Sequence, residues 1–484
     1  MVSAPVLEVD LDPDVLARLE DYVAELAMAF GRITRRYWAG VYLQGLMLNG
    51  ERKSIQPLAQ RVNVPGWHGD TMQALQQFIT QSGWDEQAVL RSYRQLLAAS
   101  IADPSGVIVI DDTGFAKKGR YSVGVARQYS GTLGKTDNCQ VAVSLHYAAS
   151  KGDYPLALRL FLPETWTSQP QRMQAVRVPV ETQVPCTKGE IALDLLDQVR
   201  AEGLAHQAVV ADAGYGLSVD FRRGLEERHE RYVVGIAGKE AVFSEPPTWT
   251  VAPDTQRGRP PTRRYVAADT PQPVLVKQLA ETLERTPLSW RQGTKGPLHA
   301  EFAWVRVWPA HRWQHGRAAD DVPDLESEAR WLLVEWRTDG SIRYALSNLP
   351  AETPMVHAVE LWKSRWHVEQ GYQQLKEELG LDHFEGRSWR GFHHHASLSI
   401  AAYGFLMAER LIADKPVGSK KNFIERKVPA LPKDYVPRGS PARAASRGPF
   451  DRDLAASAQL RTDRSPRAVS LLRQSKRKAT LVTQ

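Results

Sequence analysis

Cysteines and long apolar segments are both scarce in this sequence. It contains only Cys139 and Cys186 among 484 residues, which excludes a disulfide framework and a four-thiolate zinc site. The N-terminal segment is acidic rather than apolar, and no uninterrupted run of about 18 apolar residues occurs. We therefore expect a protein of a reducing compartment, cytoplasmic and without a membrane partner.

The net charge of +7 is concentrated at the C-terminal end. Residues 415–484 hold 17 Lys or Arg and 5 Asp or Glu, so the rest of the chain is slightly acidic. A basic tail suits a polyanionic partner, because cationic side chains that contact phosphates release counterions. The same composition is also typical of a solvated, disordered tail, and the charge alone leaves both interpretations open.

The first 100 residues favour helices. Apolar residues recur at helical spacing in residues 15–30 and again in 71–84. Residues 51–67 have a basic start and end in Pro-Gly-Trp, which fits part of a DNA-binding helical unit, although ordinary helix packing explains them as well. We expect a small helical N-terminal domain.

A sheet is predicted to begin at residue 106. The segment GVIVIDD, residues 106–112, is a β-branched run that ends in two aspartates, and strand patterns follow at 121–129 and 138–148. A helical pattern at 190–204 then leads to a second buried run, AVVAD, at 208–212. Strands followed by a helix and another strand predict an α/β layer.

Two different patterns occupy the rest of the folded chain. Residues 231–345 are strand-like and rich in Tyr, Trp and Val, which predicts a mostly β insertion. Helical patterns return at 354–381 and 393–413. The second contains three consecutive histidines, 393–395, and adjacent side chains on a helix point in different directions. We therefore expect them to be core or DNA-facing residues rather than zinc ligands.

Three aspartates stand at the ends of the two buried strand patterns. Asp111 and Asp112 end the first pattern, and Asp212 ends the second. In α/β folds, ligands commonly bind beyond such strand ends. Carboxylates brought together there repel each other unless a cation neutralises them, so these residues are candidate metal ligands. Because strand side chains alternate between faces, only one of the first two should face such a site.

The helical pattern at 354–381 carries a third acid. Trp362, Arg365, Glu369 and Lys376 follow one another at steps of three, four and seven residues. On a continuous helix they would share one face about 60° wide, beside an apolar stripe that could pack on the sheet. An exposed, ion-paired helix face would give the same spacing.

Taken together, these motifs resemble the DDE transposases of bacterial insertion sequences. The resemblance rests on DDTG at 111–114, ADAGYG at 211–216 and the W-x2-R-x3-E-x6-K array from Trp362 to Lys376. It is strongest to the cut-and-paste branch with a Y-R-E-K signature, in which Tyr stands where this chain has Trp362. The block at 114–148 also looks like the strand-turn-strand region that follows the first aspartate in one group of these enzymes.

The resemblance implies a fold class and a division into domains. It implies an α/β fold with a ribonuclease-H-like mixed sheet flanked by helices and interrupted by the β insertion. The expected units are a helical, DNA-binding domain over 1–100, the first part of the catalytic core over 101–230, the insertion over 231–345, the second part of the core over 346–410 and a basic, disordered tail over 411–484.

The resemblance also implies a chemistry. Asp112, Asp212 and Glu369 would be the catalytic metal ligands, with Asp112 chosen over Asp111 because the family pattern places the ligand directly before Thr. They would hold two Mg²⁺ ions, for which Mn²⁺ can substitute, and DNA would contact the residues Trp362, Arg365, Lys376, Lys117 and Lys118.

That chemistry implies an activity, its partners and an assembly. The implied activity is DNA cleavage at insertion-sequence ends and strand transfer, with terminal inverted repeats and target DNA as partners. A homodimer on DNA, in the nucleoid-associated cytoplasm, is expected. A catalytically inactive DNA-binding relative on the same scaffold and a general nuclease remain alternatives.

Overall fold

The computed structural model describes residues 13–251, 264–267, 269–293, 296–310 and 328–413. The predicted basic tail lies outside the described residues from 414 onward, as do two charged stretches of the predicted insertion.

The N-terminal region is helical, as the periodicity predicts. Its helices are α1 (Pro13–Phe30), α2 (Ile33–Met47), α3 (Ile55–Ala59), α4 (Thr71–Thr80) and α5 (Glu86–Ile101). Asp70 and Asp85 begin α4 and α5 by accepting hydrogen bonds from backbone N–H groups of the first turn. These helices pack on the last helix that the structure describes, Trp389–Ala413, rather than forming a separate core.

Four antiparallel strands follow: β1 (Val107–Ala116), β2 (Ala126–Ser130), β3 (Lys135–Ala149) and β4 (Gly152–Leu160). The prediction that the first strand ends at its aspartates is wrong, because β1 continues to Ala116 alongside β3. The second strand starts only at Ala126, and β4 was not predicted. Its alternation is weak, since most of its side chains are buried on both faces.

Helices and two parallel strands complete the first half. They are α6 (Glu164–Thr167), α7 (Pro170–Ala175), α8 (Lys188–Ala201), β5 (Ala208–Ala211), α9 (Ala213–Gly216), α10 (Val219–Glu227) and β6 (Tyr232–Ile236). A capping box begins α8, in which Thr187 and Glu190 each accept a hydrogen bond from the other's backbone N–H. Both β5 and β6 run parallel to β1.

The predicted β insertion is β-rich, but it is continuous with the central sheet. Its elements are β7 (Ala241–Phe243), β8 (Trp249–Val251), β9 (Arg264–Val266), β10 (Val274–Leu275), α11 (Val276–Glu281), β11 (Thr286–Gly293), β12 (Gly296–Pro309), β13 (Arg330–Trp336) and β14 (Ile342–Ser347). Because β14 pairs with β6, the strand order runs β10-β7-β12-β13-β14-β6-β5-β1-β3-β2 through one mixed sheet. The mixed sheet flanked by helices agrees with the predicted fold class.

The last helical region is divided into several segments. They are α12 (Met355–Lys363), α13 (Trp366–Gln373), a π-helical turn (Gln374–Glu378) and α14 (Trp389–Ala413). By length and composition α14 could cross a membrane, but most of its side chains are buried inside the protein. The three histidines of α14 are buried and contact different partners, as expected for core residues.

The central sheet separates two hydrophobic clusters. Ile108 and Ile110 of β1 point into a large cluster with α8, α14 and the N-terminal helices. Val107 and Val109 point the other way, into a cluster with α12 and α13. This alternation decides which face each functional side chain can reach.

Candidate active site

The site begins where strand β5 stops. Ile110 of β1 is the last residue paired with β5, whose final residue is Ala211. Beyond this point β1 keeps only its antiparallel neighbour β3, so the sheet opens beside Asp111. Asp212 follows Ala211 directly, which brings the two carboxyl-bearing residues to the same opening.

Asp111 and Asp112 point to opposite faces of the sheet. Asp111 is opposite Ser144 on β3, and the Ser144 hydroxyl is hydrogen-bonded to the hydroxyl of Tyr372 on α13. Directly paired antiparallel residues point to the same face, so Asp111 lies on the α13 face. Asp112 is opposite Val143, which belongs to the cluster on the other face.

The environment of Asp112 differs from the one predicted for it. Its carboxylate forms an ion pair with Lys188 at the start of α8, with 2.7 Å between Oδ2 and Nζ. The prediction that Asp112 shares the face of Asp212 and Glu369 is therefore corrected. Strand alternation gives the reason, since it assigns that face to Asp111.

The Asp111 carboxyl lies in an unusual electrostatic environment. Burial raises its pKa to about 7, nearby Arg365 lowers the pKa, and the negative charge of Asp212 raises it. Its Oδ1 also accepts a hydrogen bond of 2.8 Å from the backbone N–H of Asp112. A buried carboxyl beside a second carboxylate is stabilised as an anion when a cation is near.

Asp212 is held at the start of the short helix α9. Its carboxylate accepts a hydrogen bond of 2.8 Å from the backbone N–H of Gly214. The backbone of α9 lies so close to β6 that a Cβ at Gly235 would lie 2.6 Å from the backbone N of Ala213. Glycine at 235 therefore permits the close packing that fixes Asp212 beside the sheet.

Asp212 and Glu369 line one cleft of about 840 Å³ between the core strands, α12–α13 and the strands of the predicted insertion. Glu369 is exposed, in the first turn of α13. The cleft also contains five cationic side chains: Arg291, Arg337, Arg343, Lys363 and Arg365. Two further acids, Glu335 and Glu360, line the cleft, and Glu335 is paired with Arg337 and Lys363. The remaining arginines of the lining are available to a polyanionic substrate.

The predicted single helix that carries Glu369 is interrupted. Between α12 and α13 the Ser364 hydroxyl donates a hydrogen bond of 2.7 Å to the Leu361 carbonyl, a local bond of the kind that bends helices. Arg365 is the N-cap residue of α13. The four residues predicted to share one narrow face therefore lie on three segments, α12, α13 with its N-cap, and the π-helical turn, and the prediction of one uninterrupted helix is wrong.

Trp362 is mostly buried at the wall of the cleft. It is 7% exposed, and its indole N–H donates a hydrogen bond of 2.9 Å to the carboxylate of Glu335 on β13. Lys363 donates to the same carboxylate, and its Nζ lies 3.9 Å from the centre of the Trp290 ring. Trp362 thus joins α12 to β13, and because it also lines the cleft, its DNA contact stays a prediction.

The other predicted DNA contacts occupy different places. Arg365 lines the cleft, with its buried Nε without a hydrogen-bond partner. Lys376 and Lys117 are half-buried, and their ammonium groups donate to the carbonyls of Gly114 and Phe384, at 2.9 and 2.8 Å. Lys118 is exposed on the loop after β1. Only Arg365 of these four lies in the cleft with Asp212 and Glu369.

The acids of this region fit a divalent cation only in part. Among the residues that the structure describes, no group of three or more His, Cys, Asp or Glu side chains is arranged to hold a metal ion. Asp111 and Asp212 nevertheless supply the hard oxygen ligands that Mg²⁺ and Mn²⁺ prefer, and a cation would offset their burial and repulsion. Glu369 shares the cleft without joining them.

Sequence patterns alone did not identify two partners of this site. Lys188 lies far along the chain from Asp112, and no local pattern connects them. Glu335 could have been found, because a lone acid within the apolar strand RWLLVEW indicates a buried, paired carboxylate.

Comparisons with known proteins identify the family of this chain. The family model of the DDE superfamily endonucleases matches residues 25–297, which is more than half of the chain. A protein of Microchaete diplosiphon, described as "Probable transposase for insertion sequence element IS701", is 31% identical over 210 residues, or 43% of this chain. The chain spans about half the length of that relative, 51%.

A solved structure is also similar over much of the chain. The cryo-EM structure of a piggyBac transposase synaptic complex with hairpin DNA matches 84% of this chain and 80% of that chain, at 10% identity and a TM-score of 0.33. Because a TM-score this low supports no conclusion, the family assignment rests on the family model alone. This chain belongs to the DDE superfamily of endonucleases, whose members use divalent metal ions.

Proposed function

We propose that this endonuclease is a DNA transposase that cleaves the ends of an insertion sequence and transfers the strands to target DNA. The observation that carries the proposal is the opening in the sheet at which Asp111 and Asp212 adjoin, next to a cleft that contains Glu369 and several arginines. The similarity to the insertion-sequence relative supports the same activity.

Asp111, Asp212 and Glu369 form the proposed catalytic set, with Asp111 in place of Asp112. Asp112 is already neutralised by Lys188, whereas the half-buried carboxyl of Asp111 lies beside Asp212. The proposed cofactor is two Mg²⁺ ions, for which Mn²⁺ substitutes. When bound, such ions activate water and stabilise the leaving oxygen of a phosphodiester.

The protein's own groups position these acids. The Gly214 N–H orients the Asp212 carboxylate, and the Ser144 and Tyr372 hydroxyls join α13 to the strand beside Asp111. Glu369 lies on a short helix bounded by the break at Ser364 and by a π-helical turn, and such turns are frequent at functional sites. We propose that α13 shifts as a unit to bring Glu369 toward the aspartates.

The cationic lining of the cleft would bind the DNA backbone near the cut. Arg291, Lys363 and Arg365 are placed among tryptophan rings, and Arg291 lies 3.7 Å from the centre of the exposed Trp366 ring. Charged groups bind phosphates without reading sequence. We propose that the N-terminal helical region, predicted from the sequence to bind DNA, recognises the terminal inverted repeats.

The larger assembly is part of the same proposal. Joining two ends requires two active sites, so a homodimer on DNA is proposed, in the cytoplasm and associated with the nucleoid. The central strands support a ribonuclease-H-like core, because antiparallel β1, β3 and β4 are followed by β5 and β6, both parallel to β1.

A cleavage assay with labelled terminal inverted repeats tests the proposal. The repeats that flank the coding region in its own genome supply the substrate. We expect the wild-type protein to shift this DNA and to nick it when Mg²⁺ is added, while Asp212→Asn and Glu369→Gln shift it without nicking.

Each alternative function predicts a different result. A catalytically inactive relative would shift the DNA and never nick it. A general nuclease would cut unrelated duplexes at the same rate as the repeats. If both variants still nick the DNA, Asp212 and Glu369 are not the catalytic metal ligands.

A further inference from the structure

Three segments that are distant in sequence meet at the far end of strand β1. They are the loop between β1 and β2, the turn after α7 and the segment before α14. Arg172 donates a hydrogen bond of 2.9 Å to the Arg120 carbonyl, and the Val123 N–H donates one of 3.0 Å to the Arg387 carbonyl. The Trp389 N–H donates to the Val176 carbonyl at 3.0 Å. These bonds fix the segments relative to one another.

The segments bring five cationic side chains to one surface, here called the Arg120 patch: Lys118, Arg120, Arg172, Arg177 and Arg387. All are exposed except Arg172, which is half-buried on the Trp166 ring with its guanidinium carbon 3.7 Å from the ring centre. Tyr121 lies at the centre and is 57% exposed. The guanidinium carbons of Arg120 and Arg387 lie 5.5 and 5.3 Å from its ring centre.

The positive charge of the Arg120 patch is not neutralised by the protein. Within the described ranges, none of its five members has a carboxylate oxygen within 4 Å, the limit for an ion pair. Most arginines of the core are paired, as Arg94 is with Glu202 and Arg228 with Asp197. The nearby acid Glu385 is already paired with Arg52. The patch therefore presents a field that attracts anions.

Backbone strain is retained within the patch. Arg177 has a φ of +58°, a left-handed conformation that is unfavourable for a side chain of this size. Its guanidinium donates a hydrogen bond of 3.0 Å to the side chain of Gln81 at the end of α4. Strained residues of this kind cluster at binding sites, where the position of the side chain matters.

We infer that the Arg120 patch binds the phosphate backbone of duplex DNA outside the catalytic cleft. This inference rests on the proposed function, which makes DNA the partner. From Asp111 to Ala116, β1 extends for five residues, or about 17 Å, before the patch loop begins. No member of the patch lines the cleft. The patch thus forms a second contact that holds DNA without reading its sequence.

A binding titration with matched charge variants tests this inference. The test variant is Arg120→Gln with Arg387→Gln, and the control is Lys151→Gln with Lys277→Gln, which removes the same charge at exposed sites elsewhere. Fluorescence anisotropy reports binding to a duplex of unrelated sequence in Ca²⁺ at several salt concentrations. Loss of two phosphate contacts should lower the salt slope by about 2 and weaken binding about 30-fold at about 0.15 M salt.

The outcomes separate the two proposals. The control should bind as the wild type does, and the thermal midpoints of both variants should match the wild type. If the test variant binds with unchanged affinity and slope, or if the control loses as much, the inference is overturned while the proposed function stands. If the wild-type protein binds no duplex at all, the proposed function fails first.

Discussion

Asp111 and Asp112 are adjacent in sequence, but the two faces of the sheet give them different surroundings. On the α13 face Asp111 is half-buried beside Asp212, with Arg365 as the nearby cation. On the α8 face Asp112 is already neutralised by Lys188. We therefore expect metal-dependent chemistry on the α13 face and a structural role for Asp112 on the α8 face. Each prediction below tests that difference.

The largest effect is expected from removing one negative charge on the α13 face. We expect Asp111→Asn to lower the rate of DNA cleavage about 1,000-fold or more, because losing a metal ligand removes several kcal/mol of transition-state stabilisation. Single-turnover cleavage at saturating DNA measures it. Asp112→Asn is the matched control and should retain a rate within about tenfold of the wild type. Equal losses of cleavage rate in the two variants would contradict the different roles assigned to the two faces.

The next effect concerns the buried carboxylate that joins α12 to β13. Glu335 is 3% exposed and accepts hydrogen bonds from Trp362 and Lys363. Glu335→Gln should lower the free energy of unfolding by about 2 kcal/mol or more, because it leaves the Lys363 charge without its anion. Urea denaturation measures this change.

The same variant should also slow cleavage at saturating DNA, since α12 leads directly into α13. Glu352→Gln is the control, at an exposed position just before α12 that does not line the cleft. A fully stable Glu335→Gln variant would contradict the anchoring role.

The residues of the site show how much of the fold and of the site could be predicted from the sequence. The helices, the α/β alternation and the β-rich segment follow from apolar periodicity, and the alternation rule stated that only one of the two aspartates faces the site. Which one it is depends on the pairing of Asp111 with Ser144, and strand register is not visible in one sequence. The helix break near Ser364 was also missed, because the apolar stripe continues across it.

A smaller effect on stability is expected at low pH, because of a buried histidine on α14. His395 is buried between Tyr42, whose hydroxyl lies 2.8 Å from Nδ1, and the Gly380 carbonyl, 2.9 Å from Nε2. Burial lowers its pKa from 6.5 to about 4, the Gly380 hydrogen bond raises it, and the charges of Lys117 and His383 lower it further.

The unfolded chain therefore binds this proton first as the pH falls, so stability is complete above pH 6.5 and declines toward pH 4. Between pH 6.5 and about pH 5 we expect the free energy of unfolding to fall by about 1.5 kcal/mol from this group. Denaturation of wild type and His395→Gln across that range measures the difference. An identical pH slope in the two proteins would contradict a buried neutral His395.

The smallest effect is expected from the ion pair of Asp112 itself. Its two side chains are 20% and 32% exposed, so solvent screens the attraction and the pair should contribute less than about 1 kcal/mol. A double-mutant cycle of Asp112→Asn and Lys188→Met, measured by urea denaturation, gives this coupling energy. A coupling of several kcal/mol would mean that the α8 face is more strongly organised around this pair than its exposure indicates.

Metal binding tests the assignment of the two aspartates most directly. Titration of Mn²⁺ into the protein, followed by the electron paramagnetic resonance signal of the free ion, measures affinity without any cleavage step. We predict that Asp111→Asn and Asp212→Asn bind Mn²⁺ much more weakly than the wild type, while Asp112→Asn binds it equally well. Weakened binding in Asp112→Asn together with wild-type binding in Asp111→Asn would contradict the account.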